Sequence, residues 1–134
     1  MCFSLSAQKI IDLSGKWSFS IDRQDNGEKE KWFSHTLNDF INLPGSMPEK
    51  LKGDEVTAKT QWTGSLYDSS YYYNPYMEKY RKEGNIKFPF FLTPDKHYVG
   101  VAWYQKKVTI PSNWKGERIT LFLERPHIET TVWV

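Results

Sequence analysis

From Tyr98 to the end of the chain, apolar side chains return at every second position, and no other feature constrains the fold as much. Tyr104, Val108 and Ile110 share one parity; Ile119, Leu121 and Leu123 show the same alternation; Ile128, Val132 and Val134 show it again around Thr130. Successive side chains of a strand point to opposite faces, so this spacing belongs to half-buried strands and not to helices. Pro111-Ser112-Asn113 with Lys115-Gly116-Glu117 punctuates the first join, and Arg125-Pro126-His127 the second, each poorly suited to continuing a ladder. The spacing predicts three consecutive antiparallel strands over 98–134. Lys106 interrupts the apolar parity, and its stem is expected inside with the charge reaching the rim.

A chain of 134 residues is the length of one ordinary domain. Charged residues make up 25%, the globular norm, which excludes general disorder. Aromatics are the outlier at 16%; such rings either fill a sandwich core or stack on the apolar faces of sugars. A net charge of +2 with interspersed lysines and glutamates excludes a chain built to track phosphates, so no nucleic acid partner is expected. Cys2 is the sole cysteine, which rules out an intrachain disulfide and a thiolate metal site. His35, His97 and His127 are too far apart for a short ligand motif, and there is no phosphate loop or nucleophile elbow. No apolar run approaches the roughly 20 residues of a spanning helix. No metal, cofactor or membrane span is therefore expected. Met1 to Ala7 is small and apolar, like the tail of a secretory signal, which would put the protein in the periplasm or outside the cell. The other reading of residues 1–9 is a disordered tail, with the domain occupying 10–134.

In chain order, Trp17, Phe19 and Ile21 alternate with Lys16, Ser18 and Ser20 in a strand that follows a turn at Ser14-Gly15. Asn26-Gly27 marks either a hairpin tip or a surface loop. Phe40 to Leu43 reads as a second strand, stopped by Pro44-Gly45-Ser46, and Met47 to Lys59 as a surface crossing. Residues 60–73 hold Trp62 and four tyrosines with few aliphatic partners, so part of the stretch is expected to face a cleft. A short helix follows, capped by Asn74, begun by Pro75 and stopped at Gly84, with Asn85 at its exit. Asn85 to Pro94 is a proline-interrupted loop anchored by Phe88, Phe90 and Phe91. So long an irregular excursion, about 60–98, is rarely kept without a use.

Five blocks then stand in order: Ser14-Gly15-Lys16-Trp17-x-Phe19, Leu43-Pro44-Gly45-Ser46, Trp103-Tyr104 with Val108-x-Ile110-Pro111-x-x-Trp114, Arg118-Ile119-x-Leu121, and Val132-Trp133-Val134. Together they resemble the N-terminal sugar-binding domain of glycoside hydrolase family 2, the group of β-galactosidases, β-glucuronidases and β-mannosidases. The resemblance implies an all-β fold, an antiparallel jelly-roll β-sandwich of galactose-binding-like topology, incomplete here, with one short helix in a long aromatic loop. It implies a non-catalytic role beside a barrel that holds two carboxyls about 5 Å apart, so no catalytic residue is expected in this chain. Glu124 and Asp22 are read as surface or structural carboxylates. Asn85-Ile86-Lys87-Phe88-Pro89-Phe90 is similar to a β-galactosidase loop that reaches the rim of the active site, where the asparagine helps hold the sugar. An amide both donates and accepts, as a sugar hydroxyl does, and the competing reading of Asn85 is a helix-exit turn residue.

Trp62 and Tyr72 are further candidates for sugar contact. Arg125 and His127 would take an acidic or hydroxylated ligand, unless Arg125 simply pairs with Glu124. The expected partners are a carbohydrate and the remainder of a glycosidase chain, with self-association through bare sheet edges. Two alternatives stay open: a freestanding carbohydrate-binding module, and an interaction domain whose aromatics meet a protein.

Overall fold

A computed structural model describes residues 9–57, 60, 70–85, 94–126 and 128–134. The leader-like start, Trp62, the phenylalanine loop 86–93 and His127 lie outside the described residues. Within them the strands are β1 (Gly15–Asp22), β2 (Asp39–Leu43), β3 (Asp54–Glu55), β4 (Lys96–His97) and β5 (Val101–Gln105). β1 is the centre of a three-stranded sheet ordered β2-β1-β5, and β3 pairs with β4; every pairing is antiparallel. The chain is an all-β, sandwich-like domain with only short helices between its strands.

The alternation in β1 dictates its two faces. Trp17, Phe19 and Ile21 share one face with their cross-strand partners Ile41 on β2 and Tyr104 and Ala102 on β5. Phe19 and Ile41 are buried there, and Phe19 meets Tyr104 edge-on with centroids 5.1 Å apart. Burying one such side chain stabilises the fold by about 1.5–3 kcal/mol. Lys106 belongs to this face, as its parity predicts: its Nζ crosses to the Ser14 carbonyl at 2.8 Å and lies 5.5 Å from the Trp17 ring. The charge thus reaches the rim.

On the other face the small Ser18 and Ser20 leave room for the segment after β1. Gln105 fastens it, its Nε2 donating to the carbonyls of Trp32 and His35 at 2.8 Å each, and its Oε1 accepting from the amide of Leu37 at 3.1 Å. Trp32, Phe33 and the buried Trp103 then form a ring cluster that Trp133 completes. The second layer over this face is therefore built of rings from loop and tail.

The expected second strand is present and ends where it should, at Leu43 before Pro44. Asn74 caps a 3-10 helix over Pro75–Tyr80, its Oδ1 accepting from the Tyr76 amide at 2.9 Å. That helix stops before Gly84, and it is preceded by an α-helical turn, α1 (Ser70–Tyr73), where irregular chain was expected.

The C-terminal expectation needs correcting. Only the first of three strands forms, as β5; residues 118–126 and 128–134 make no ladder among the described residues, and Ile119, Leu121, Leu123, Val132 and Val134 are exposed. Alternation supplies a face, but a strand also needs amides and carbonyls opposite it. β5 is paired along its β1 side only, and no described segment runs along its other edge. The sheet edges of β2 and β5 are bare among the described residues.

Candidate functional site

The segment between β3 and β4 carries Trp62, Tyr72 and Asn85 among the predicted contacts, and β3 and β4 form its base. Asp54 pairs with His97 and Glu55 with Lys96, so the chain leaves and returns at adjacent points. Lys96 also forms an ion pair with Glu55. Gly53, at φ +125°, lies against the backbone of His97, where a Cβ would approach the carbonyl oxygen to 3.1 Å. The guanidinium of Arg23, the first residue past β1, holds both carboxylate oxygens of Asp54 at 2.7 Å each. It also lies 5.5 Å from the centre of the Tyr98 ring. Tyr98 in turn shares its hydroxyl proton between the carbonyls of Asp22 and Val101, both at 3.1 Å, which are partners in the β1–β5 ladder. Partial burial pushes the Tyr98 hydroxyl up, against the opposing pull of Arg23.

Beyond the base, residues 70–85 form a small knot around the buried Tyr71. The Tyr71 hydroxyl donates to the Tyr80 carbonyl at 3.2 Å, and Arg81 donates to the Tyr71 carbonyl. Tyr72 crosses the Tyr71 ring edge-on at 5.1 Å and is half exposed. Asn85 is exposed at the end of the knot. Its Nδ2 donates to the Lys79 carbonyl at 3.1 Å and its backbone amide to that of Lys82 at 3.1 Å. Among the described residues its Oδ1 has no partner. The side chain closes the preceding helical turn at an exposed position.

Arg125 stands elsewhere, with a left-handed backbone at φ 53° and its side chain 89% exposed, paired with Glu124 at 3.1 Å. So Asn85 and Tyr72 share one compact knot, Arg125 belongs to the exposed tail, and Trp62 and His127 are outside the described residues. Among the described residues, no group of three His, Cys, Asp or Glu is placed to hold a metal ion, and no helix is long and apolar enough to cross a membrane.

Sequence reasoning missed the polar tie on which this region rests. Asp22 is buried at the end of β1, with Oδ1 accepting from the Asn26 amide at 3.0 Å and Oδ2 from the Gly27 amide at 2.7 Å and Trp103 Nε1 at 3.1 Å. Burial alone would push this carboxyl up; the two amides and the indole outweigh it and hold it below its ordinary range. A Cβ on Gly27 would lie 2.3 Å from Trp103 Nε1. Asn26-Gly27 is therefore a folded-in loop and not a hairpin tip. The available signal was an aspartate closing a strand four and five residues before an Asn-Gly pair, a position from which a carboxylate reaches turn amides.

The tail is held by rings. Trp133 stacks on Trp103, at 4.7 Å and 27°, and on Phe33, at 5.6 Å and 11°, and those two rings also meet each other at 6.5 Å, so the three close a triangle.

Fold and site define a small antiparallel β domain with a fastened β3–β4 base and a tyrosine-rich helical segment over 70–85. No family model matches the chain. It is 24% identical over 127 residues to a β-glucuronidase of Paenibacillus borealis, an alignment that covers 95% of this chain and 15% of that protein. The chain is thus a distant relative of a small part of a glycosidase.

Proposed function

We propose that this chain is the non-catalytic, carbohydrate-binding N-terminal domain of a family 2-type β-glycosidase, with a jelly-roll plan and an excursion that lends Asn85 to the substrate pocket. The observation that carries the reading is the similarity along nearly the whole chain to a seventh or so of a β-glucuronidase. The exposed position of Asn85 at the end of the 70–85 knot supports the role given to the loop. In this reading hydrolysis belongs to a separate catalytic unit, and the partners of the chain are the glycoside and that unit.

The test takes the complete gene product containing this segment through a panel of nitrophenyl glycosides, β-glucuronide first. Hydrolysis of at least one is expected. Asn85→Ala is expected to raise KM about tenfold, the loss of one hydrogen bond to a bound hydroxyl. No hydrolysis of any member of the panel would refute the glycosidase reading; hydrolysis with KM indifferent to Asn85→Ala would refute the role of the loop.

A further inference from the structure

We infer that Arg23 is a positioning residue that fixes the relative pose of β3 and β4, the two legs from which the segment carrying Asn85 departs, acting through Asp54 and Tyr98. The inference rests on the reading above, in which that segment reaches a bound glycoside. A ladder of two residue pairs, Asp54 with His97 and Glu55 with Lys96, is marginal by itself and leaves the relative pose of the two legs open. Arg23 touches both legs: Asp54 on the outgoing one through two bonds of 2.7 Å, and Tyr98 on the returning one through its ring.

Both neighbours of this contact are themselves fastened. Asp22, next to Arg23, is held by three donors. Tyr98 is tied to the Asp22 and Val101 carbonyls, and Gly100 permits its fold-back, since a Cβ there would lie 2.6 Å from the Tyr98 hydroxyl. A planar fork on a carboxylate fixes an angle as well as a distance, which the single ammonium of a lysine does not. Both partners are about half exposed, at 53% and 54%. An exposed pair contributes little to global stability, so its loss falls on the pose of the two legs more than on the fold.

The experiment compares Arg23→Ala, Arg23→Lys and the swap Arg23→Asp with Asp54→Arg in the complete glycosidase. Arg23→Ala is expected to raise KM for the glycoside about threefold while kcat stays within about twofold, as for the removal of a binding contact. Arg23→Lys is expected to fall between it and the wild type, and the swap to recover most of the lost KM. An unchanged KM in an active enzyme, or a swap that recovers nothing, overturns the inference and leaves the glycosidase reading standing. If the wild type hydrolyses no glycoside, that reading fails first, and hydrogen exchange on the 134-residue chain decides the structural part. There Arg23→Ala is expected to speed exchange in β3 and β4 about threefold, with β1 and β5 unchanged. Exchange that rises uniformly, or not at all, overturns it.

Discussion

Replacing Asp22 by asparagine keeps the shape of the side chain and removes its charge, so the variant isolates what three converging donors are worth. In Asp22→Asn the new side-chain oxygen can keep the position that now receives Gly27 and Trp103, but its NH2 then faces the Asn26 amide, donor against donor. Hydrogen bonds to a charged group contribute about 1.5–3 kcal/mol each against about 1 for a neutral one. Weakening two and losing the third would cost about 3–4 kcal/mol, and relief of the buried charge returns part of it, leaving about 2–3 kcal/mol. At a urea slope of about 1–3 kcal/mol per molar, the unfolding midpoint followed by tryptophan fluorescence is expected to fall by about 1–2 M at pH 7.

The pH dependence carries a sign. The native pKa of Asp22 is depressed, so its stabilisation is complete above the unfolded value of about 3.9 and is lost as pH falls through the native one. The gap between wild type and Asp22→Asn is therefore expected to be constant from pH 7 down to about 5 and to close below about 4. A midpoint that does not move at pH 7, or a gap that persists unchanged in acid, would refute the account of the tie.

Trp133→Ala removes the ring stacked on both Trp103 and Phe33; a loss of about 1–3 kcal/mol is expected from two aromatic pairs, with Trp133→Phe keeping part of it. Melts and near-ultraviolet circular dichroism check this, and an unaltered spectrum would count against the stacking. The bare edges of β2 and β5 and the exposed Ile119, Leu121 and Phe122 are expected to make the isolated chain associate, with a weight-average mass in sedimentation velocity that rises over about tenfold in concentration. A sharp monomer boundary at every concentration would oppose it.

How far the sequence could be read depended on whether a residue's neighbours lay nearby along the chain. The alternation of Trp17, Phe19 and Ile21, the stop at Pro44 and the cap at Asn74 are local, and each appears where the pattern puts it. Asp22 meets Trp103, Arg23 meets Asp54 and Tyr98, and Phe33 meets Trp133 only once the sheet has formed. None of these residues stands out beforehand: Asp22 falls on the polar parity of its strand, and Arg23 opens a polar loop. The tail shows the converse failure. Ile119 to Leu123 and Ile128 to Val134 satisfy the side-chain period of a strand, yet they lie exposed without a ladder. Trp133 alone among those residues finds stacked ring partners, because a ring stack needs only two faces to meet. A strand needs a neighbour's whole row of amides and carbonyls, and no property of a single segment reports whether that row is there.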